Sequence, residues 1–310
     1  MINFFANIFG YVLNFLYEIV GNFGIAIILF SILVKIAMLP ISYKQQKTMK
    51  KSQELNNQMK QLQFKYKNDQ EKLNQEILGL YKREKMSPFS GCLSGIVQII
   101  LLFSVFFLVK SPLTYMRKID KNVIEKLEAV VQEDGKTSNY KEIAVLNYIN
   151  KLKTTGQESD KNTDEFNVND YVDKVYVNMD LFGIDLSKVP TEDIKNIKVL
   201  IIPALYVLSS FVSLKMTNSM QEKDKKDKNK NLIGDGSEKE KEKIDEIDAM
   251  QDINKNMSLF MPIMSISIAI VAPLGLALYW LMNNILMIAE RLVLDKVLKK
   301  DKKEVKEIQK

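Results

Sequence analysis

Residues 19–43 read IVGNFGIAIILFSILVKIAMLPISY, twenty-five residues with one charge, Lys35. About 20 apolar residues span the hydrocarbon of a bilayer, so this stretch predicts a membrane helix. In lipid every backbone amide must find its partner internally, which leaves a helix or a closed barrel. Continuous apolarity without period-2 alternation selects the helix. The rest of the 310-residue chain repeats the theme: hydrophobic residues are 46% and charged residues 26%, but they are segregated into blocks.

Residues 89–109 carry no charge, and residues 199–214 are apolar between Lys198 and Lys215. Both lysines can snorkel, so a short span is tolerable there. Residues 257–289 are also uncharged. As one helix they would run ~50 Å against a core of ~30 Å. Ala272-Pro273-Leu274-Gly275 interrupts them, and proline removes a helix donor while glycine permits a tight turn. Two spans follow, 257–272 and 275–294. The expected fold is an all-α integral membrane protein with five transmembrane helices: 21–43, 89–110, 197–215, 257–272 and 275–294.

The loops set orientation. Residues 44–88 hold 11 Lys/Arg against 5 Asp/Glu, and the tail 295–310 holds 7 Lys against 4 Asp/Glu. The positive-inside bias places both in the cytoplasm, with the N-terminus outside. The long segment 111–196 then falls outside, with 12 Lys/Arg against 16 Asp/Glu. Residues 1–20 have neither a basic leader region nor a cysteine for lipidation. Asn3, Asn7, Asn14 and Glu18 mark one helical face and apolar residues fill most of the rest. The reading favours an external interfacial helix over a longer, bent first span.

Within 44–88, apolar residues recur at helical spacing on both sides of Lys67-Asn68-Asp69-Gln70, which predicts a cytoplasmic helical hairpin. Its basic charge would suit anionic lipid, RNA or an acidic partner, or simply retain the hairpin inside. Residues 123–132 and 141–152 read as helices, residues 156–169 as a polar, flexible stretch, and residues 216–256 as a charged cytoplasmic loop.

Histidine is absent and Cys92 is the single cysteine. Ser-His-Asp hydrolysis, His-ligated metals and Cys-cluster metal sites are thereby excluded, and no cofactor or metal is expected. The notable intramembrane residue is Lys35. A lysine near a span centre costs about 2.5–3.5 kcal/mol on insertion scales. It lies eight residues before Tyr43, ~12 Å along a helix, a long reach for snorkelling. A wet polar interior fits better. Ser31 shares its face, and other spans offer Ser94 and Gln98, then Ser209, Ser210 and Ser213, then Ser265 and Ser267, then Trp280, Asn283 and Asn284. Each serine alone has a plain explanation in helix packing or a bond to its own backbone. Together they suggest a polar site without a carboxylate to neutralise Lys35, Glu290 being placed near the cytoplasmic end of the last span. Such a site invites a negative guest, either acidic side chains or an anion.

Together these segments resemble the YidC/Oxa/Alb family of membrane protein insertases. The resemblance rests on Gly21-Asn22-Phe23-Gly24 leading into Leu33-Val34-Lys35-Ile36-Ala37-Met38-Leu39-Pro40. It continues in Leu80-Tyr81-Lys82-Arg83-Glu84-Lys85 with Ser87-Pro88-Phe89-Ser90-Gly91-Cys92, in Leu181-Phe182-Gly183-Ile184-Asp185-Leu186, and in Pro273-Leu274-Gly275-Leu276-Ala277-Leu278-Tyr279-Trp280 with Asn283-Asn284. It implies a five-helix core around a hydrophilic groove open to the cytoplasm and to lipid. It places Lys35 where the family usually has Arg, so charge is kept while the bidentate fork is lost. The family often has Gln near the end of the third span, where this chain has Leu214 beside Ser213.

The substrate-binding groove implied is Lys35, Ser31, Gln98, Ser213, Trp280 and Asn283. The activity implied is energy-independent insertion and chaperoning of nascent membrane proteins at the bacterial plasma membrane, without catalytic residues. The partners implied are nascent chains, the Sec translocon, the ribosome and lipids, and no DNA. A small-solute or anion transporter using Lys35 is the alternative class. An intramembrane hydrolase is disfavoured because the spans offer no convincing nucleophile–base pair.

Overall fold

The computed structural model describes residues 2–66, 69–84, 90–132, 139–162, 166–229 and 269–308. Helix α1 spans Ile2–Val20, and Gly21 then takes a left-handed φ of 64°, breaking the helix. Asn22 caps α2 (Phe23–Lys65) by accepting from the Ile25 amide at 3.1 Å, as an N-cap asparagine does. The helix runs straight from its apolar part (Phe23–Thr48) into the polar arm, with Pro40 inside it. The expected boundary at 43/44 is therefore a change of composition within one helix, because nothing after Tyr43 terminates it.

Asp69 caps α3 (Gln70–Arg83) through the Lys72 amide at 3.0 Å. Leu73 and Leu80 of α3 are buried, as is Leu55 on the facing arm of α2, and Lys51 pairs with Glu84 at 3.3 Å. Helices α2 and α3 thus pack against each other through a small apolar contact.

Helix α4 spans Ser90–Lys110, and Ile99–Lys110 is apolar. Helix α9 covers Lys198–Asn229 and α10 Leu274–Ile308; their apolar parts are Lys198–Met216 and Leu274–Leu294. Three helices among the described residues are thus long and apolar enough to cross a membrane. Most of the expected fourth span, including Ser265 and Ser267, lies outside the described residues. Helices α9 and α10 both continue past the expected span ends, into the charged loop and into the basic tail.

Between α4 and α9 the chain builds a packed cap rather than a loose insertion. A short helix α5 (Pro112–Tyr115) leads to α6 (Lys121–Gln132) and α7 (Lys141–Thr155), the two helices the sequence predicts. Ile124, Leu127 and Val131 of α6 and Ile143, Leu146 and Ile149 of α7 are buried in one core at helical spacing. Gly156, at φ 66°, ends α7.

The polar stretch that follows is expected to be flexible, and its described part is instead tied down. The Ser159 amide donates to Asn169 Oδ1 at 2.9 Å, the Val168 amide to Asn162 Oδ1 at 2.9 Å, and the Ser159 and Tyr148 hydroxyls bond at 2.7 Å. Asn and Ser side chains here satisfy loop amides, which composition alone reads as solvation. A 3-10 turn (Val168–Tyr171) and helix α8 (Val172–Val175) follow. A two-residue antiparallel ladder then pairs β1 (Asp180–Leu181) with β2 (Ile184–Asp185), a small departure from an all-α fold.

The cap seats the helix starts. The Asn178 carbonyl accepts from the Phe23 amide at 2.9 Å, and the Lys188 and Leu186 carbonyls accept from Leu274 and Gly275 at 2.9 Å each. These are orphan donors at the N-termini of α2 and α10. Lys198, opening α9, donates to the Gly183 carbonyl at 3.3 Å. Helices α2, α9 and α10 therefore all start at the cap and run the same way. Helix α1 lies against α2 and α4, with Phe9 edge-on to Phe30 at 5.6 Å. Its outward face carries Phe4, Ile8, Tyr11, Phe15 and Ile19, all exposed at helical spacing.

Candidate functional site

Because α2, α9 and α10 start at one level, residues equally far along them lie at similar depths. About 10 Å from the cap, Tyr206 of α9 and Trp280 of α10 are buried with ring centroids 6.1 Å apart. One turn further, Asn284 Nδ2 donates to Ser210 Oγ at 2.8 Å and lies 3.3 Å from Ser209 Oγ. This polar bridge joins α9 to α10 across a part-buried interface, as amide and hydroxyl side chains do between membrane helices.

Beyond it, about 24 Å along α10, Glu290 reaches Lys35 of α2, with Nζ 2.6 Å from Oε2. The Glu290 side chain is 6% exposed and that of Lys35 20%. The expectation of a positive charge without a carboxylate partner is therefore corrected. Glu290 lies four residues before the end of the apolar part of α10, near the span end as its sequence position implies, and Lys35 of α2 meets it there. A signal for it was present: Glu290 follows Asn283 by seven residues, two helical turns on the same face.

The other predicted groove residues divide. Ser31 is buried beside Lys35, but its hydroxyl donates to the Ile27 carbonyl of its own helix at 2.7 Å. That is the ordinary helix-serine bond, so Ser31 adds volume and polarity rather than a free hydroxyl. Ser213 is buried on α9 one turn beyond Ser209. Trp280 belongs to the aromatic layer, and Asn283 is half-buried beside the bridging Asn284. The side chain of Gln98 lies outside the described residues. The structure thus joins Lys35 to Glu290, Asn284 to Ser210 and Trp280 to Tyr206 across helices, and leaves Ser31 bonded to its own helix.

Among the described residues no group of three or more His, Cys, Asp or Glu is placed to hold a metal. What the site offers is one ion pair, an amide and hydroxyls in an otherwise apolar bundle. Such groups supply hydrogen bonds and charge, and among the described residues they include no nucleophile–base pair.

The profile of the family described as 60Kd inner membrane protein matches residues 15–303. Among curated proteins, the chain is similar to one named membrane protein insertase YidC from Rickettsia prowazekii (strain Madrid E). The two are 42% identical over 96 residues, 31% of this chain and 17% of that protein. It is also similar to the protein of the same name from Francisella tularensis subsp. novicida (strain U112), 38% identical over 109 residues, 35% of this chain and 20% of that protein. The matched stretch spans a fifth or less of those relatives' own length.

Proposed function

This chain belongs to the 60Kd inner membrane protein family, and from that premise we propose that it is a membrane protein insertase of the bacterial plasma membrane. The observation that carries the reading is the polar pairing along α10, Glu290 with Lys35 of α2 and Asn284 with Ser210 of α9. A hydrophobic segment of a nascent protein enters beside these pairs with a polar tail that must cross first. The pairs lend hydrogen bonds and charge to that tail, shortening the apolar barrier it faces. Burial of the client's apolar span in lipid, at roughly 25 cal/mol per Å², drives release sideways without a nucleotide.

In this reading five helices form the core. The fourth is supplied by residues 257–272, and Gln98 faces the groove. The hairpin of α2 and α3 and the basic tail lie in the cytoplasm, where positive-inside bias puts them. The cap and α1 lie outside, α1 resting in the interface on its apolar stripe. The basic cytoplasmic parts meet the ribosome, and the Sec translocon is the partner for larger clients. The transporter alternative loses ground because Glu290 already neutralises the lysine on which it depended.

Site-specific photocrosslinking from position 283, during synthesis of a short single-span client in vesicles holding the purified full chain, tests the reading. Adducts that form early and disappear as the client becomes membrane-integrated are expected. Integration without adducts would mean that clients take another path. Vesicles that integrate nothing, yet show saturable anion flux, would replace the insertase with the transporter.

A further inference from the structure

We propose that Glu290 is a built-in competitor of the client at Lys35. Its carboxylate occupies the place that an acidic residue of an entering segment takes, and so sets which tails the protein accepts. This rests on the insertase reading and adds the residue that tunes it.

Three observations carry the inference. The contact is direct, Lys35 Nζ to Glu290 Oε2 at 2.6 Å, and it joins two helices, α2 and α10, that pack along each other. The two partners are unequally enclosed: Lys35 keeps a fifth of its side chain open, whereas Glu290 is nearly closed off. A newcomer therefore meets the lysine first. Finally, among the described residues Glu290 Oε1 is buried without a hydrogen-bond partner. A carboxylate held only for structure has both oxygens satisfied, because a buried orphan acceptor costs its full desolvation. Among the described residues Glu290 bonds through one oxygen only, so fewer contacts fix its side chain in place than would fix a fully hydrogen-bonded acid.

The consequence is an exchange rather than an opening. Separating Lys35 from Glu290 outright leaves two charges unpaired in a poorly hydrated site, which is expensive. A client carboxylate that arrives at Lys35 restores one of the two charges' partners, so entry of an acidic tail costs less than outright separation, and the cost that remains is that of the displaced Glu290 carboxylate. A neutral tail restores nothing and leaves the pair closed, and a basic tail is repelled by the exposed end of Lys35. Without Glu290 the same lysine would attract acidic tails more strongly, because nothing would need to be displaced.

The test uses the purified full chain in proteoliposomes and three single-span clients that differ at one tail position, Asp, Asn or Lys. The readout is the ratio of inserted Asp client to inserted Asn client. Glu290→Gln keeps the size of the side chain and removes the competing charge. It is expected to raise the ratio about 5-fold over wild type, the factor for a partly exposed ion pair. Glu290→Asp, which keeps the charge but withdraws it from Lys35, gives an intermediate rise and serves if the Gln variant does not fold. Lys35→Gln with Glu290→Gln brings the ratio to about one, since neither the attractor nor the competitor remains. A ratio in both Glu290 variants at or below the wild-type value overturns the proposal and makes the pair a packing strut. Wild-type protein that inserts none of the three clients refutes the insertase reading itself. Insertion that is indifferent to Glu290 refutes only the competitor.

Discussion

Replacing Gly10 by alanine tests whether α1 is fastened to the cap as tightly as the structure shows. A Cβ built at Gly10 would lie 1.9 Å from the Tyr115 carbonyl oxygen and 2.6 Å from its carbon, where ordinary contact begins near 3.4 Å. The obstacle is backbone, in the turn held by the Met116 and Arg117 amides on the Pro112 carbonyl. It cannot swing aside as a side-chain end would. Helix α1 and this turn must therefore part by about 1.5 Å, the difference between 3.4 and 1.9 Å.

A gap of 0.5–1 Å already forfeits a quarter to a half of the dispersion well for each contact along the seam. Ala6, Leu13 and Tyr17, buried on the same face, would all feel it. Overpacking costs about 1–3 kcal/mol, and alanine's better helix propensity returns about 0.8–1 kcal/mol. Because the obstacle is backbone, the upper part of the overpacking range applies, about 2–3 kcal/mol, and the net expectation is a loss of roughly 1–2 kcal/mol. Gly79, in the middle of α3 with nothing within 4 Å of its Cβ, is the control. Gly79→Ala is expected to stabilise by about 0.5–1 kcal/mol, since only propensity acts there. Reversible unfolding of both variants in the same detergent, followed by circular dichroism, separates the signs. A Gly10→Ala protein as stable as wild type, or more so, would refute the close approach of α1 and the cap.

Two further outcomes follow from named contacts. A double-mutant cycle with Asn284→Leu and Ser210→Ala, read by unfolding, is expected to give a coupling energy of about 0.6–1.5 kcal/mol, the range for interhelical hydrogen bonds in membranes; additive losses would remove the bridge. In the cap, burial pushes the Glu142 carboxyl above its usual range. This outweighs the opposite pull of bonds from the Thr114 hydroxyl (2.6 Å), the Leu113 amide (2.8 Å) and the Thr114 amide (3.0 Å). A carboxyl raised on folding holds its proton better in the native state. Its contribution is then greatest below the ordinary carboxylate range and is lost as pH rises through the folded value. Stability of wild type minus that of Glu142→Gln, from thermal melts between about pH 4 and about pH 7, is expected to fall with pH, and a rise would refute the direction.

Much of this fold was legible along the chain. The helices at 121–132 and 141–155 follow from apolar residues recurring every three or four positions. The apolar parts of α2, α9 and α10 follow from length alone. The Ala272-Pro273 break before α10 follows from proline chemistry. Helix ends were harder to place, because α2, α9 and α10 pass from apolar to charged composition without a capping residue. The tie of residues 156–169 was also hidden: an asparagine that solvates a loop and one that holds its amides look the same in sequence. At the site, Lys35, Trp280 and the serine cluster of α9 stood out as polar or amphipathic residues in apolar runs. Glu290 was visible but its meeting with Lys35 was not, and Asn284 rather than its neighbour Asn283 proved to be the bridging amide.

The sequence by itself determined that this is a helical protein built for a membrane, and which faces of its helices are polar. Both are local consequences of hydrogen-bond satisfaction in lipid and of a 3.6-residue period. The tertiary structure alone decided which groups meet. Lys35 finds Glu290, Asn284 finds Ser210, and Gly10 lies on the carbonyl of Tyr115. Those pairings depend on the depth and rotation of helices distant in the chain, set here by the cap that anchors their starts. No periodicity within one helix encodes the rotation of another.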